Sequence, residues 1–265
     1  MSTFDPRSPR GLALVGVLHL LALPGSPEWA GDLAAVRDRA LFDAAAYADG
    51  GMQALIIENF GDRPFSPGAA PPATVAALTV IALAVKERFG GLPLGINVLR
   101  NDARAALAIA VAVGAAFIRV NVLVSAMVTD QGLLEGQAWD LALDRRMLGT
   151  SITVWGDVMV KHAAPLGAQR LEDQATDAFE RGGASALILS GSGTGKAADP
   201  EDFRRVRRAL PDAPLVVGSG LSEQTLGDFA GLADAAIVAT ALHGDDGCVD
   251  VARVRRMVQL AEASR

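Results

Sequence analysis

Along this chain, short and nearly unbroken apolar runs alternate with longer stretches in which Ala, Leu and Val recur at helical spacing among charged residues. The runs are LALVGVLHL (12–20), MQALIIEN (52–59), PLGINVL (93–99), AFIRVNVL (116–123), SITVWGDVMVK (151–161), ASALILSG (184–191), APLVVGSG (213–220) and ADAAIVAT (233–240). Each carries polar residues at or near its close and reads as a buried strand. Helical segments are expected near 32–49, 72–89, 102–114, 133–149, 171–182, 199–210, 222–231 and 249–263. Several carry start signals, such as Asp102 before an Ala/Leu run and Ser222 before Glu223. Eight strands and eight helices in strict alternation, beginning with a strand, predict an α/β protein of the (β/α)8 TIM-barrel type. A doubly wound sheet, with roughly five to seven strands, would leave some of these runs over.

An internal echo agrees with this count. GGMQALII (50–57) resembles GGASALIL (182–189), and VGAAFIRV (113–120) resembles LADAAIVA (232–239), each pair four units apart, as half-barrel symmetry requires. The Pro/Gly-rich stretch DRPFSPGAAPP (62–72) lies inside one strand-to-helix connection, so a single domain is expected over 1–265, with the barrel proper at about 11–262. The longest connections follow strands 1, 2 and 4, where a barrel keeps its site-forming loops.

Composition removes several function classes. Of 265 residues 51% are hydrophobic and only 5% aromatic, enough for a large aliphatic core. A net charge of −6 and a pI near 5.1 argue against nucleic acid as the principal partner. One cysteine, Cys248, excludes a disulfide scaffold, and three histidines at 19, 162 and 243 disfavour a histidine-rich metal site. The apolar stretches 105–118 and 73–85 fall short of the roughly 18–20 residues that span a bilayer, and MSTFDPRSPRG is followed by no apolar region with a small-residue cleavage site, so neither anchor nor signal peptide is expected. A soluble, cytoplasmic protein is expected. The chain has 21 arginines and three lysines, a bias that suggests a GC-rich bacterial host.

Barrel chemistry gathers where strands end, so the residues delivered there are the candidates. They are His19, Glu58 and Asn59, Asn97, Arg119 and Asn121, then Asp157, Lys161 and His162, Ser190, Ser219 and Thr240. Structural barrel layers prefer branched apolar side chains, so this many polar strand ends points to a small-molecule pocket. Glu58 and Asn59 have opposite parity, and only one can face the interior. Arg119 is placed to pair with a barrel carboxylate such as Asp157. Period two puts Asp157, Met159 and Lys161 on one face. If that face is interior, Lys161 is suited to bind an oxyanion, act as a base or form a Schiff base; the alternative is a lysine snorkelling at a strand end. Asn97, Asn121 and Asp130 suit sugar hydroxyls or a hydrated divalent cation. No required cofactor is indicated.

Phosphate binding is suggested by the last three units. Strand 6 runs into SGSGTGK (190–196), strand 7 into GSGLS (218–222) and strand 8 into ATALHGDDG (239–247). Glycines there free backbone N–H groups to converge on one anion, which Gly193, Thr194, Gly195, Gly218, Ser219 and Gly220 would cradle. The lysine of SGSGTGK is followed by Ala197, so the string is no nucleotide P-loop.

The strings GVLHLLALPGSP (16–27), ALIIENFGDRPF (54–65), PLGINVLRNDA (93–103), FIRVNVL (117–123), VTDQGLLEG (128–136), DVMVKHA (157–163), LILSGSGTG (187–195) and VGSGLS (217–222) resemble the BtpA/SgcQ family from about residue 11 to 260. The resemblance implies a fold similar to ribulose-phosphate-binding barrels and the tryptophan synthase α-subunit. One branch of that family is known for a thylakoid-associated protein that stabilises photosystem I. The other accompanies sugar-phosphotransferase components and carries a suggested nucleosidase activity. Ala239 departs from the family pattern by standing where related barrels place a glycine, and Trp155 and Gly156 precede Asp157 where a smaller residue is expected.

The leading expectation is an enzyme of isomerase, lyase or nucleosidase type on a phosphorylated sugar or nucleoside-like molecule. Lys161 and Asp157 would handle protons, with Glu58, His162 or His19 as the second acid/base group. The alternative is an assembly factor for a membrane complex of the photosystem I kind, without retained catalysis. A homo-oligomer is compatible with either.

Overall fold

A computed structural model describes residues 4–7, 11–160, 163–191 and 198–264. Eight parallel strands close into a barrel: β1 (Ala13–His19), β2 (Ala54–Glu58), β3 (Leu94–Asn97), β4 (Phe117–Val120), β7 (Thr153–Val158), β9 (Ala186–Leu189), β10 (Leu215–Val217) and β11 (Ala235–Val238). The ring shuts where Ala13 pairs with Ala235. All eight expected strands are present, and the fold is a (β/α)8 barrel.

Helices α1 (Leu33–Asp49), α2 (Pro72–Arg88), α3 (Ala103–Val113), α4 (Ala138–Met147), α5 (Leu171–Thr176), α6 (Pro200–Ala209) and α7 (Val251–Ala263) pack outside. Carboxylate caps start several of them. Asp32 accepts from the Ala35 N–H, Asp102 from Ala105, Asp199 from Glu201 and Asp250 from Ala252. Asp102 spends its second oxygen on the Ala70 N–H, tying the β2–α2 connection to α3. Gly114 ends α3 in the left-handed conformation that favours glycine.

Two stretches depart from the sequence pattern. The helix expected over 222–231 is one 3-10 turn, Leu226–Phe229. Thr225 Oγ1 accepts from the Ser222 N–H and Ser222 Oγ from the Thr225 N–H, so local side chains satisfy backbone that a helix would have paired. The second is an added antiparallel sheet of β5 (Ala126–Thr129), β6 (Gly132–Glu135) and β8 (Ala163–Pro165), in the order β6-β5-β8. The helix expected from residue 133 therefore begins only at Ala138. Gly132, with φ of 100°, closes the hairpin, and the register partners Met127 and Leu134 bury themselves against Val122 and Val160. Because β5 and β6 follow β4 and β8 follows β7, this sheet is contributed by two connections on the C-terminal side of the barrel.

The barrel interior takes alternate residues from each strand, among them Val15, Val17, Ile56, Phe117, Trp155, Ile188, Val216 and Ile237. Trp155 stacks on Phe117 at 4.1 Å between centroids, and Phe4 lies 5.8 Å from the Trp155 ring. Trp155 thus forms an aromatic floor beneath Asp157. Gly95 makes room for it, since a Cβ there would lie 2.3 Å from the Phe117 ring. A second, larger cluster fills the space between the outer strand faces and the helices.

Candidate active site at the C-terminal mouth

The alternation that buries Val15 and Val17 carries His19 inward, and the same parity turns Glu58, Asn97, Arg119, Asn121, Asp157 and Ser190 inward. An apolar interior therefore gives way to a polar layer at the strands' C-terminal ends. At its centre Arg119 and Asp157 form a buried ion pair, Nη2 to Oδ2 3.1 Å, with Nε 3.3 Å from both carboxylate oxygens. Asn121 donates to the same Oδ2. Burial alone would depress the Arg119 guanidinium, but the charges of Asp157 and Glu58 and the hydrogen bond to Asp157 outweigh it and hold it above its ordinary value.

Beside this pair, His19 Nε2 lies 3.0 Å from Glu58 Oε1, with Glu58 buried and His19 half-buried. The His19 ring stacks on Phe60 at 4.3 Å, and the Arg63 guanidinium lies 3.9 Å from the Phe60 ring. A cavity of about 640 Å³ opens beside His19, with His243, Arg39 and Glu28 on its walls. His243 stands edge-on to His19 at 5.9 Å.

Burial holds the His243 imidazole below its ordinary value; His19 and Arg39 push the same way, and Asp43 and Asp246 oppose them. With the folded value below the unfolded one, this histidine's contribution to stability is present above about pH 6.5 and lost as pH falls towards the folded value. His243→Gln is therefore expected to flatten the loss of melting temperature between about pH 7 and about pH 5. Parallel wild-type and variant curves over that window would contradict it.

Polar capacity at the mouth is unspent. Asn97 Nδ2 donates to the Arg119 carbonyl, yet among the described residues Asn97 Oδ1 and Asn121 Oδ1 are buried without a partner, as are Ser190 Oγ and Ser219 Oγ. Gly218 is required here, because a Cβ would sit 2.3 Å from Ser190 Oγ. Gly220 follows with φ of 77°, a conformation that favours glycine.

Other sequence candidates fall elsewhere. Asn59 is spent on bracing loops: its Nδ2 donates to Asp62 and to the Leu99 carbonyl, and its Oδ1 accepts from the Leu99 N–H. Asp130 is exposed at the β5–β6 turn, where it accepts from Gln131. Thr240 is exposed at the start of a 3-10 turn, while Ala239 packs against the interior. Lys161, His162, Gly193, Thr194 and Gly195 lie outside the described residues. The parity that put Lys161 on the face of Asp157 loses its basis, because β7 ends at Val158 and Met159 has φ of 49°.

Arg100 was missed in the sequence pattern. It is buried in the NVLRNDA string, its guanidinium depressed by burial against the opposing charges of Asp157, Asp130 and Glu58. Its neighbour Asn101 explains more of that string, accepting from the Val122 N–H and donating to the Val122 and Glu135 carbonyls. The one available signal was an arginine just past an inward-facing strand end.

Residues 10–263 match the BtpA family. The chain belongs to that family. It is 44% identical to the photosystem I biogenesis protein BtpA of Synechocystis sp., over 97% of this chain and 89% of that one. It is also 44% identical to an uncharacterized protein of Thermococcus kodakarensis, over 95% and 96%. Among solved structures it is similar to phosphoribosyl anthranilate isomerase from Thermus thermophilus, with a TM-score of 0.60 and 14% identity, covering 96% of this chain and 100% of that one. This last likeness is one of fold. Family members thus occur in a cyanobacterium and an archaeon, and among the described residues no helix is long and apolar enough to cross a membrane.

Proposed function

We propose that this protein is an enzyme acting on a small phosphorylated, sugar-like molecule at the C-terminal mouth of its barrel. The observation that carries the reading is the set of inward-facing oxygens on Asn97, Asn121 and Ser190, in the polar layer of the Arg119–Asp157 pair, that are buried without a partner among the described residues. Each such oxygen costs about 1–3 kcal/mol until something donates to it. A hydroxylated ligand supplies those donors. Arg100 adds a buried cation at the same mouth, and the likeness in fold to a phosphoribosyl anthranilate isomerase supports a phosphorylated ligand.

In this reading the phosphate rests on the connections after β9 and β10, at Gly193, Thr194, Gly195, Gly218, Ser219 and Gly220. His19 and Glu58 form the acid/base pair, Glu58 fixing the orientation of the imidazole. Arg119 pins Asp157 towards the ligand, and Lys161 and His162 supply further proton-handling groups. Isomerisation, elimination and glycosidic cleavage are each compatible with this set.

The test is thermal stability against inorganic phosphate, a sugar-phosphate panel and the matching unphosphorylated sugars. A ligand at a hundred times its Kd adds about 2.7 kcal/mol, a rise of several degrees. A rise confined to phosphorylated compounds is expected. No rise with any of them, or an equal rise with the plain sugars, would overturn the reading.

A second reading, assembly of a membrane complex, takes its support from the name of the cyanobacterial relative and from the apolar outer face of the small sheet. There Val128 and its register partner Leu133 are exposed, as is Leu166 just beyond β8. In that reading Leu133→Lys abolishes the biological role and leaves ligand binding at the mouth intact.

A further inference from the structure

We propose a second ligand site on the flank of the barrel, between α4 and the π-helical turn Asp177–Arg181 that extends α5, for a carboxylate carrying an apolar tail of medium length. The helix ring does not close there. A groove of about 560 Å³ runs between the two elements, within the roughly 300–1,000 Å³ typical of small-molecule sites. Leu123 and Val124 from the connection after β4, Leu141 of α4 and Val154 of β7 give it an apolar floor. Gly182 follows the π-turn where no side chain fits, because a Cβ would lie 2.7 Å from Val124 Cγ1. A π-turn inserted in a helix is itself frequently a functional feature.

Charge sets the chemistry and the direction of the ligand. Arg145 and Arg181 stand towards the C-terminal ends of their segments, at one end of the groove. The carboxylate of Asp177, which also lines it, is engaged by Arg181 at 3.4 Å. Asp144, next to Arg145 in sequence, is held by Arg104 at 2.7 Å. Among the described residues Arg145 therefore has no ion-pair partner, and its Nε is buried with no acceptor. A desolvated guanidinium N–H of this kind calls for an anion. At the other end Trp139 is 75% exposed, a large apolar surface with nothing on it. The six-residue separation of Trp139 and Arg145 spans about 9 Å of helix. A carboxylate on Arg145 with its tail along Leu141 to Trp139 satisfies both ends.

The experiment uses the full chain, octanoate as the probe, and octanol and inorganic phosphate as controls. Octanoate should bind saturably by calorimetry and shift Trp139 emission to the blue, and Trp139→Phe should remove the shift. Octanol should bind at least tenfold more weakly, and phosphate should not compete. Arg145→Met should weaken octanoate at least tenfold, and Ala142→Trp, which fills the groove, should abolish binding; circular dichroism checks that both variants fold. Absence of saturable binding to the wild type, unchanged affinity in Arg145→Met, or competition by phosphate would overturn the proposal. So would a homodimer in sedimentation that Ala142→Trp dissociates, because the groove would then be covered by a second copy.

Discussion

Replacing Arg119 with methionine is expected to destabilise the protein by about 3–5 kcal/mol, because it strips the partner from a carboxylate buried inside the barrel. For a chain of this size that is a fall of roughly 6–20 °C in melting temperature, readable by calorimetry or by the urea midpoint. The cost comes from leaving Asp157 uncompensated, so it should largely vanish when both partners go. Arg119→Met combined with Asp157→Leu is expected to recover most of the lost stability, since an apolar pair of similar volume replaces a pair whose desolvation was itself expensive. The same double variant should be inert on any substrate of the mouth. A stability loss under about 1 kcal/mol in Arg119→Met would mean that water reaches the pair and screens it as it screens a surface ion pair.

The largest expected effect on turnover belongs to Glu58. If His19 and Glu58 are the acid/base pair, Glu58→Gln keeps the shape and a hydrogen-bonding oxygen but removes the charge facing the imidazole at 3.0 Å. Loss of a positioned acid/base group costs about 10²–10⁴ in rate. The fall should appear in kcat with KM little changed, and the pH–rate profile should lose the limb that reports the histidine. His19→Gln should give a similar rate, and the double variant should be no slower than the slower single, as expected for two groups acting as one unit. Additive losses would assign the two residues separate roles.

The barrel was legible because its strands are apolar runs carrying inward polar residues at a fixed parity, and parity is a hard constraint in a pleated strand. It put His19 on the face of Val15 and Val17 and limited the inward choice to one of Glu58 and Asn59; the structure turns Glu58, Asn97, Asn121 and Asp157 inward. Parity fails where the strand stops. The extrapolation from Asp157 to Lys161 crosses Met159, whose positive φ breaks the alternation. Beyond Glu58, Asn59 begins a loop, and its amide is taken up by the Asp62 carboxylate and the Leu99 backbone of the neighbouring connection. The β5–β6 hairpin was hidden because Leu133 and Leu134 lead into a genuine helix, although the Asp-Gln-Gly turn marks it in hindsight. Arg100 was hidden for a different reason. It sits in a connection, where no periodicity says which way a side chain points.

The pairing of Ala13 with Ala235 carries a kinetic consequence. The first strand emerges from the ribosome with its partner on that side still unmade until nearly the whole chain has been synthesised. Ala13–Leu18 is entirely apolar, so the nascent chain presents an unguarded edge for the duration of its own translation. Joining such distant positions makes closure slow compared with the helix-to-strand contacts that precede it. Refolding yield, as opposed to equilibrium stability, should therefore depend steeply on protein concentration.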